Sequence, residues 1–149
     1  MAVVLGMNAK LFYRTTPGAG DWSEVCAQDV TLSLTKDEAD VTDRCNNGWN
    51  ATVATMKNAE VSFSFNWDPE RPDFIAFKDA WFDDSEIELL VLDGELEIGN
   101  GLLATCDVMT FTRTEPLREA VKAEILCKPN GSIPPVWIEG GYDPDDTGV

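Results

Sequence analysis

The chain has 149 residues, enough for one compact domain, and 44% of them are hydrophobic, enough for a real apolar core. With 27 acidic against 11 basic residues the formal net charge is −16, which opposes binding to phosphate backbones and to anionic membrane surfaces. The absence of histidine excludes a Ser-His-Asp or Cys-His pair, a His-ligated metal and imidazole acid–base chemistry near neutral pH.

The opening MAVVLGMNAKLFYR carries its first positive charge at Lys10 and only a brief apolar run. It therefore lacks the pattern of a secretory signal, and the expectation is a protein made and kept in cytoplasm. Apolar runs such as Leu89 to Leu92 fall far short of the ~20 residues of a membrane span. Ala9 to Thr15 reads as the first strand. In Val30-Thr-Leu-Ser-Leu-Thr35, Val30, Leu32 and Leu34 point one way and Thr31, Ser33 and Thr35 the other. Such alternation is the mark of a half-buried strand. The stretch 36–57 is polar and acidic, with Asn46-Asn47-Gly48 at its middle. Asn-Gly is a hairpin-turn signal, so this stretch is expected to be a long hairpin projecting beyond the sheet, with Trp49 near its tip.

Alternation returns in Val61 to Trp67, where Val61, Phe63, Phe65 and Trp67 form one face and Ser62, Ser64 and Asn66 the other. Arg71 to Phe82 has helical spacing instead. Phe74, Phe77, Lys78 and Trp81 recur at i, i+3, i+4 and i+7, Pro72 suits a first turn, and Asp73 suits the positive end of the dipole. Phe74, Phe77 and Trp81 are expected to pack this helix on the sheet. Further strands are expected at Ile87 to Asp93, Leu102 to Arg113 and Ala120 to Lys128, with Gly94 and Gly99-Asn100-Gly101 as turns. From Pro129 the chain is rich in Pro, Gly and Asp and reads as an extended arm, with Val136, Trp137 and Ile138 as its apolar anchor. The division expected is one β domain over 1–139, including the N-terminal arm and the hairpin 36–57, followed by a flexible acidic tail at 140–149.

Chemistry is hard to find in this pattern. Asp37, Glu38, Asp40 and Asp43 cluster in the hairpin, and Asp143, Asp145 and Asp146 in the tail. Neither cluster has the ordered spacing of a calcium loop, and in so acidic a chain both read as solvated surface. No nucleophile elbow, phosphate-binding loop or HExxH is present. The cysteines Cys26, Cys45, Cys106 and Cys127 form no CxxC pair. Cys106 and Cys127 lie in alternating apolar segments and read as small buried hydrophobes. The polar face made by Thr31, Ser33, Thr35, Ser62, Ser64 and Asn66 is more informative. Ordinary exposed faces carry long charged side chains, whereas short neutral ones leave a smooth wetted surface. It suits a flat contact, a channel wall or a plain solvated face.

Taken in order, MAVVLGMNAKLFYR, the block from DVTLSLTKDEADVTDRCNNGW to FNWDP, the aromatic helix, ELLVLDGE, VMTFTRTEPLREAVKAEILCKP and PPVWIEG resemble the major tail tube proteins of long-tailed, non-contractile bacteriophages and gene transfer agents. The resemblance covers nearly the whole chain. It implies a mainly β fold, a β-sandwich or barrel with one short flanking α-helix, a long protruding hairpin and extended terminal arms. It implies hexameric rings whose strands join into a barrel around a lumen and which stack into a tube. DNA passes through that tube without specific binding. The partners implied are further copies of the chain and tape-measure, tail-tip and tail-terminator proteins. No membrane binding by this chain, no cofactor, no metal and no catalytic residue are implied. The place implied is the virion tail, after synthesis and assembly in the host bacterial cytoplasm. On this reading Thr31, Ser33, Thr35, Ser62, Ser64 and Asn66 face the lumen, and Asp37, Asp40, Arg44, Asn46, Asn47, Gly48 and Trp49 form the ring-stacking hairpin.

Two other readings compete. A β-sandwich binding module acting outside the cell could use Trp22, Trp49 and Trp137 as a sugar platform and the acidic loops for calcium. The tube protein of a contractile injection or secretion system would share the ring architecture. A glycosidase resting on carboxylates alone comes third.

Overall fold

The structure is a computed structural model and describes residues 5–15 and 21–142. A single antiparallel sheet of eight strands carries the fold. Its strands are β1 (Lys10–Arg14), β2 (Ser23–Val25), β3 (Asp29–Asp40), β4 (Thr52–Asn66), β5 (Ile87–Leu92), β6 (Gly101–Thr114), β7 (Lys122–Pro129) and β8 (Val136–Ile138), and the one α-helix among the described residues is α1 (Pro72–Phe82). Along the sheet the order is β2-β1-β5-β6-β7-β4-β3, with β8 added against the start of β6. The expected mainly β class therefore holds, and all six expected strands and the helix are present. β2 and β8, only three residues each, were not expected as strands.

The sheet curls on itself. Leu11 and Tyr13 of β1 and Val25 of β2 share one core with Val61, Phe63 and Phe65 of β4 and Ile125 of β7, from the other side of the sheet. α1 plugs this core. Phe77 packs edge-on against Phe63 at 4.9 Å, and Phe74 against Trp67 at 4.8 Å. Phe65, Phe77, Ile87 and Leu89 are sealed completely. Each such side chain contributes about 1.5–3 kcal/mol of transfer free energy. Cys106 and Cys127 are buried in the same core and unpaired. Burial, with a smaller push from Asp107, raises the Cys106 thiol to about 12. Burial likewise raises Cys127.

The helix buries a slightly different stripe from the one expected. Phe74, Phe77 and Ala80 are buried, with Asp73, whereas Trp81 is exposed and packs edge-on against Phe82 at 5.0 Å. At about 100° per residue Trp81 lies between Phe77 and Phe74, on the buried side, so its exposure comes from its place in the last turn rather than from its angle. Asp73 fixes which side faces inward. Its carboxylate accepts from the Cys26 amide at 3.2 Å, the Phe74 amide at 2.9 Å and Arg71 Nε at 3.1 Å, and its second oxygen also receives the Arg71 terminal nitrogen. It ties the helix start to the β2–β3 link, so its side must face inward.

The C-terminal segment is an arm docked at its expected anchor. β8 pairs with β6 through Gly101↔Ile138 and Leu103↔Val136, so the anchor expected at Val136 to Ile138 is a strand. Beyond it the Gly140 amide donates to Asn100 Oδ1 at 2.8 Å, the Gly141 amide to the Gly99 carbonyl at 2.9 Å and the Tyr142 amide to the Leu96 carbonyl at 2.8 Å. The first three residues of the tail placed at 140–149 are thus bonded to the β5–β6 turn, and 143–149 lie outside the described residues.

Candidate functional site

The face of the sheet turned away from the core divides into two parts. On β1, β5, β8 and the start of β6 it is apolar and covered: Phe12, Leu90, Leu92 and Ile138 form a second small core, with Trp22, Leu96 and Tyr142 packed on it. Beside this core, Arg14 and Glu88 lie directly opposite on β1 and β5 and are both buried, with an N–O distance of 2.7 Å. The Arg14 guanidinium stacks on Trp22 at 4.3 Å and lies 5.8 Å from the Tyr142 ring.

On β3, β4, β7 and the second half of β6 the same face is bare. Register fixes its rows. Thr31 lies opposite Ser62, Ser62 opposite Leu126, and Leu126 opposite Thr110. The next row is Asp29, Ser64, Glu124 and Thr112. Together these residues line a shallow concave basin. The six residues expected to share a face do share it: Thr31, Ser33 and Thr35 on β3, and Ser62, Ser64 and Asn66 on β4. Asn66 Oδ1 accepts from Gln28 Nε2 at 3.0 Å. Thr110, Thr112 and Thr114 extend the surface and were missed. The charges there are sparse and mixed, and Lys128 pairs with Glu60 at 3.2 Å.

This four-strand wall ends in two free backbone edges. β5 pairs with β6 only as far as Cys106, so among the described residues 107–114 bond on one side only, to β7. β3 likewise bonds only to β4. Unpaired edges invite pairing with another chain.

The hairpin expected at 36–57 is present and longer than its turn. β3 and β4 stay paired out to Asp40↔Thr52, with a bulge between Lys36 and Glu38. Its tip is wider than a two-residue Asn-Gly turn. Arg44–Asn46 form a 3-10 turn, capped reciprocally by Asp43, which accepts from the Cys45 amide at 2.8 Å, and by Asn46, which accepts from the Asp43 amide at 2.6 Å. Asn47 and Gly48 then take left-handed backbone at φ 53° and 84°, so the dipeptide still makes the reversal. Asp37 accepts from Asn58 at 3.1 Å and Asp40 from the Thr42 amide at 2.9 Å. The Thr42 side chain and amide hold the Asp40 carboxyl below its ordinary value. These acids are spent on local hydrogen bonds, and no group of three or more potential metal ligands occurs among the described residues. Trp49 is 78% exposed. The three tryptophans of a sugar platform sit on separate elements: Trp22 ahead of β2 under Arg14, Trp49 at the tip and Trp137 on β8.

This architecture recurs in solved structures. The SPP1 tail tube subunit superposes with a TM-score of 0.73 at 12% identity, over 95% of this chain and 82% of that one. It has the fold of a tail tube subunit. The tail of an empty gene transfer agent particle, refined with C6 symmetry, matches at 0.71 and 15% identity, over 87% of this chain and 96% of that one. A chain of the six-fold symmetrised anti-feeding prophage baseplate matches at 0.69 and 9% identity, over 95% and 99%. No family model and no curated protein matches the sequence.

Proposed function

We propose that this chain is the structural, non-enzymatic subunit of a virion tail tube, assembling as hexameric rings that stack into a conduit for DNA. The observation that carries the reading is the bare hydroxyl-rich wall bounded by two free edges, in a chain that superposes on tail tube subunits along nearly its whole length. Four strands per copy is an even number, so β3 of one copy meets the free edge of β6 in the next running antiparallel, as every pair inside the wall does. A head-to-tail contact of this kind closes into a ring when its rotation closes. The six-fold symmetry of the gene transfer agent tail and of the anti-feeding prophage baseplate supports six copies here. Closure removes the edges and turns the Ser/Thr face to the lumen. Short neutral groups in a strongly acidic subunit give phosphates nothing to hold.

The hairpin then reaches the neighbouring ring, with Trp49 as its apolar contact. Tape-measure, tail-tip and tail-terminator proteins are the partners this role requires, and the host cytoplasm is the place of synthesis and assembly. Negative-stain electron microscopy of the purified protein across a salt series, with mass measured on the same samples, tests the reading. Rings or hollow tubes are expected, favoured by salt because subunits at −16 repel and screening acts over about 10 Å at 0.1 M. A monomer at every salt concentration that also fails to grow on purified tail tips overturns it. Trp49→Ala is expected to fold and to lose stacking, and normal tubes from that variant would remove the hairpin from the contact.

A likeness to a chain of the sheath–tube complex of an extracellular contractile injection system, with a TM-score of 0.52 at 7% identity over 87% of this chain and 88% of that one, favours a second reading, the tube of such a system. Co-purification of a sheath protein with the tubes would select it.

A further inference from the structure

α1 does more than close the core. Its outer side and the free edge of β6 enclose an apolar groove of about 440 Å³, lined by Trp67, Phe74, Lys78, Trp81, Phe82 and Phe111. Phe82 is 70% exposed and Trp81 is exposed beside it, so the rim of the groove is made of large apolar side chains that the fold leaves in water. A matching feature lies at the far edge of the same wall. Val30, Leu32 and Leu34 of β3 sit opposite Phe63, Val61 and Ala59, on the core side of the sheet. Leu32 still packs on the core, but Val30 and Leu34 are 41% and 57% exposed.

We propose that the groove between α1 and β6 receives the Val30–Leu34 row of β3 from a second copy of this chain. Parity of the sheet carries the argument. When β3 of one copy lies along residues 107–114 of the next with the two polar faces continuous, side chains alternate, so the opposite faces must also be continuous. Phe111 is on the core side of β6, opposite Ile125. Val30, Leu32 and Leu34 are on the core side of β3. Joining the walls therefore delivers the apolar row beneath Trp81 and Phe82, where it covers both exposed surfaces at once. α1 becomes a lateral clamp, and the strand junction gains a side-chain contact that sets which edge meets which. The inference rests on the tube reading above and adds the partner surface within the ring.

The contact is head-to-tail, which gives a decisive test. Leu34→Asp spoils the donor row and leaves the groove intact; Phe82→Asp spoils the groove and leaves the row intact. Both positions are exposed, so each variant is expected to melt within about 2 °C of the parent, consistent with surface substitutions. Each alone is expected to lose ring formation at least tenfold by native mass spectrometry and microscopy. An equal mixture is expected to form heterodimers and nothing larger, because only one of its two junctions is sound. Tubes from the parent together with tubes from either variant would overturn the clamp and leave the tube reading standing. A mixture that stays monomeric would overturn it equally. A parent that forms neither rings nor tubes under any condition, including on tail tips, would remove both.

Discussion

On β1, β5, β8 and the start of β6 the face turned from the core is roofed by Tyr142, Trp22 and Leu96, whereas on the end of β6 and on β7, β4 and β3 the same face of the same sheet is open. The covered part holds large apolar residues and a buried ion pair; the open part holds mostly hydroxyls and amides, with Asp29, Glu124, Leu126 and the Lys128–Glu60 pair among them. One is built to be finished within the subunit, and the other to be finished by other copies. Substitutions should therefore cost stability on the first and assembly on the second.

The largest effect belongs to the covered part. Glu88→Ala would take the Glu88 carboxylate away from the buried Arg14 guanidinium. Removing one partner of such a pair costs about 3–5 kcal/mol, and urea unfolding is expected to show a loss of that size. A loss below 1 kcal/mol would mean that water reaches the pair and that the roof is not tight.

The seam between the two parts has its own signature. Cys106 stands where β6 exchanges β5 for β7, and its thiol is raised from 9.0 to about 12. A raised folded value favours the thiol, so its contribution is complete below pH 9 and is lost as pH climbs from 9 towards 12. Each such thiol, Cys127 included, costs about 1.4 kcal/mol per pH unit in that window. Melting across pH 8 to 10.5 should fall accordingly, and a Cys106→Ala, Cys127→Ala double variant should flatten the fall. At pH 8 a thiol reagent should label Cys26 and Cys45, which are exposed, and spare the other two until unfolding.

A smaller effect is expected at the roof's fastening. Gly141 has φ 103°, and a Cβ there would lie 1.9 Å from the Glu97 carbonyl oxygen. Gly141→Ala should cost about 1–3 kcal/mol and speed hydrogen exchange at Tyr142 and Gly101 first. Uniform exchange across the sheet would indicate that the roof does not open as a unit.

Much of this division was legible in the residues, and the failures have identifiable causes. Period two located β3 and β4 and grouped their six short polar residues correctly, because those strands keep strict alternation through Ser64. β6 does not. Leu102, Ala104, Cys106 and Val108 are buried at even positions, yet Phe111 is the next residue on the core side. A bulge between Val108 and Thr110 inserts Met109 and reverses parity. Plain alternation carried through it puts Thr110 and Thr112 in the core, so the wall appeared to have two strands when it has four. β2 and β8 are too short to show a period at all. Trp81 has the right spacing but stands in the last turn of α1, and spacing alone cannot say how far along a helix its cover extends. The Arg14–Glu88 pair is a matter of tertiary register and leaves no local pattern.

The smallest expected change in stability belongs to the open part, and it tests the division most sharply. Thr112→Lys and Ser62→Lys place positive charge in adjoining rows of the bare face, where nothing packs on them. Each should shift unfolding by no more than about 0.5 kcal/mol. Tubes should still form: Thr112 stands on the joining strand β6, but both side chains point to the bare face, and neither lines the α1 groove. What should change is passage of DNA: six copies per ring would set a ring of lysines against a phosphate backbone, and counterion release would hold the strand in place. Ejection from assembled particles is then expected to slow, more at low salt than at high. A variant that ejects at the parental rate would place this face outside the lumen, and one that loses several kcal/mol would mean that it is covered within the subunit after all.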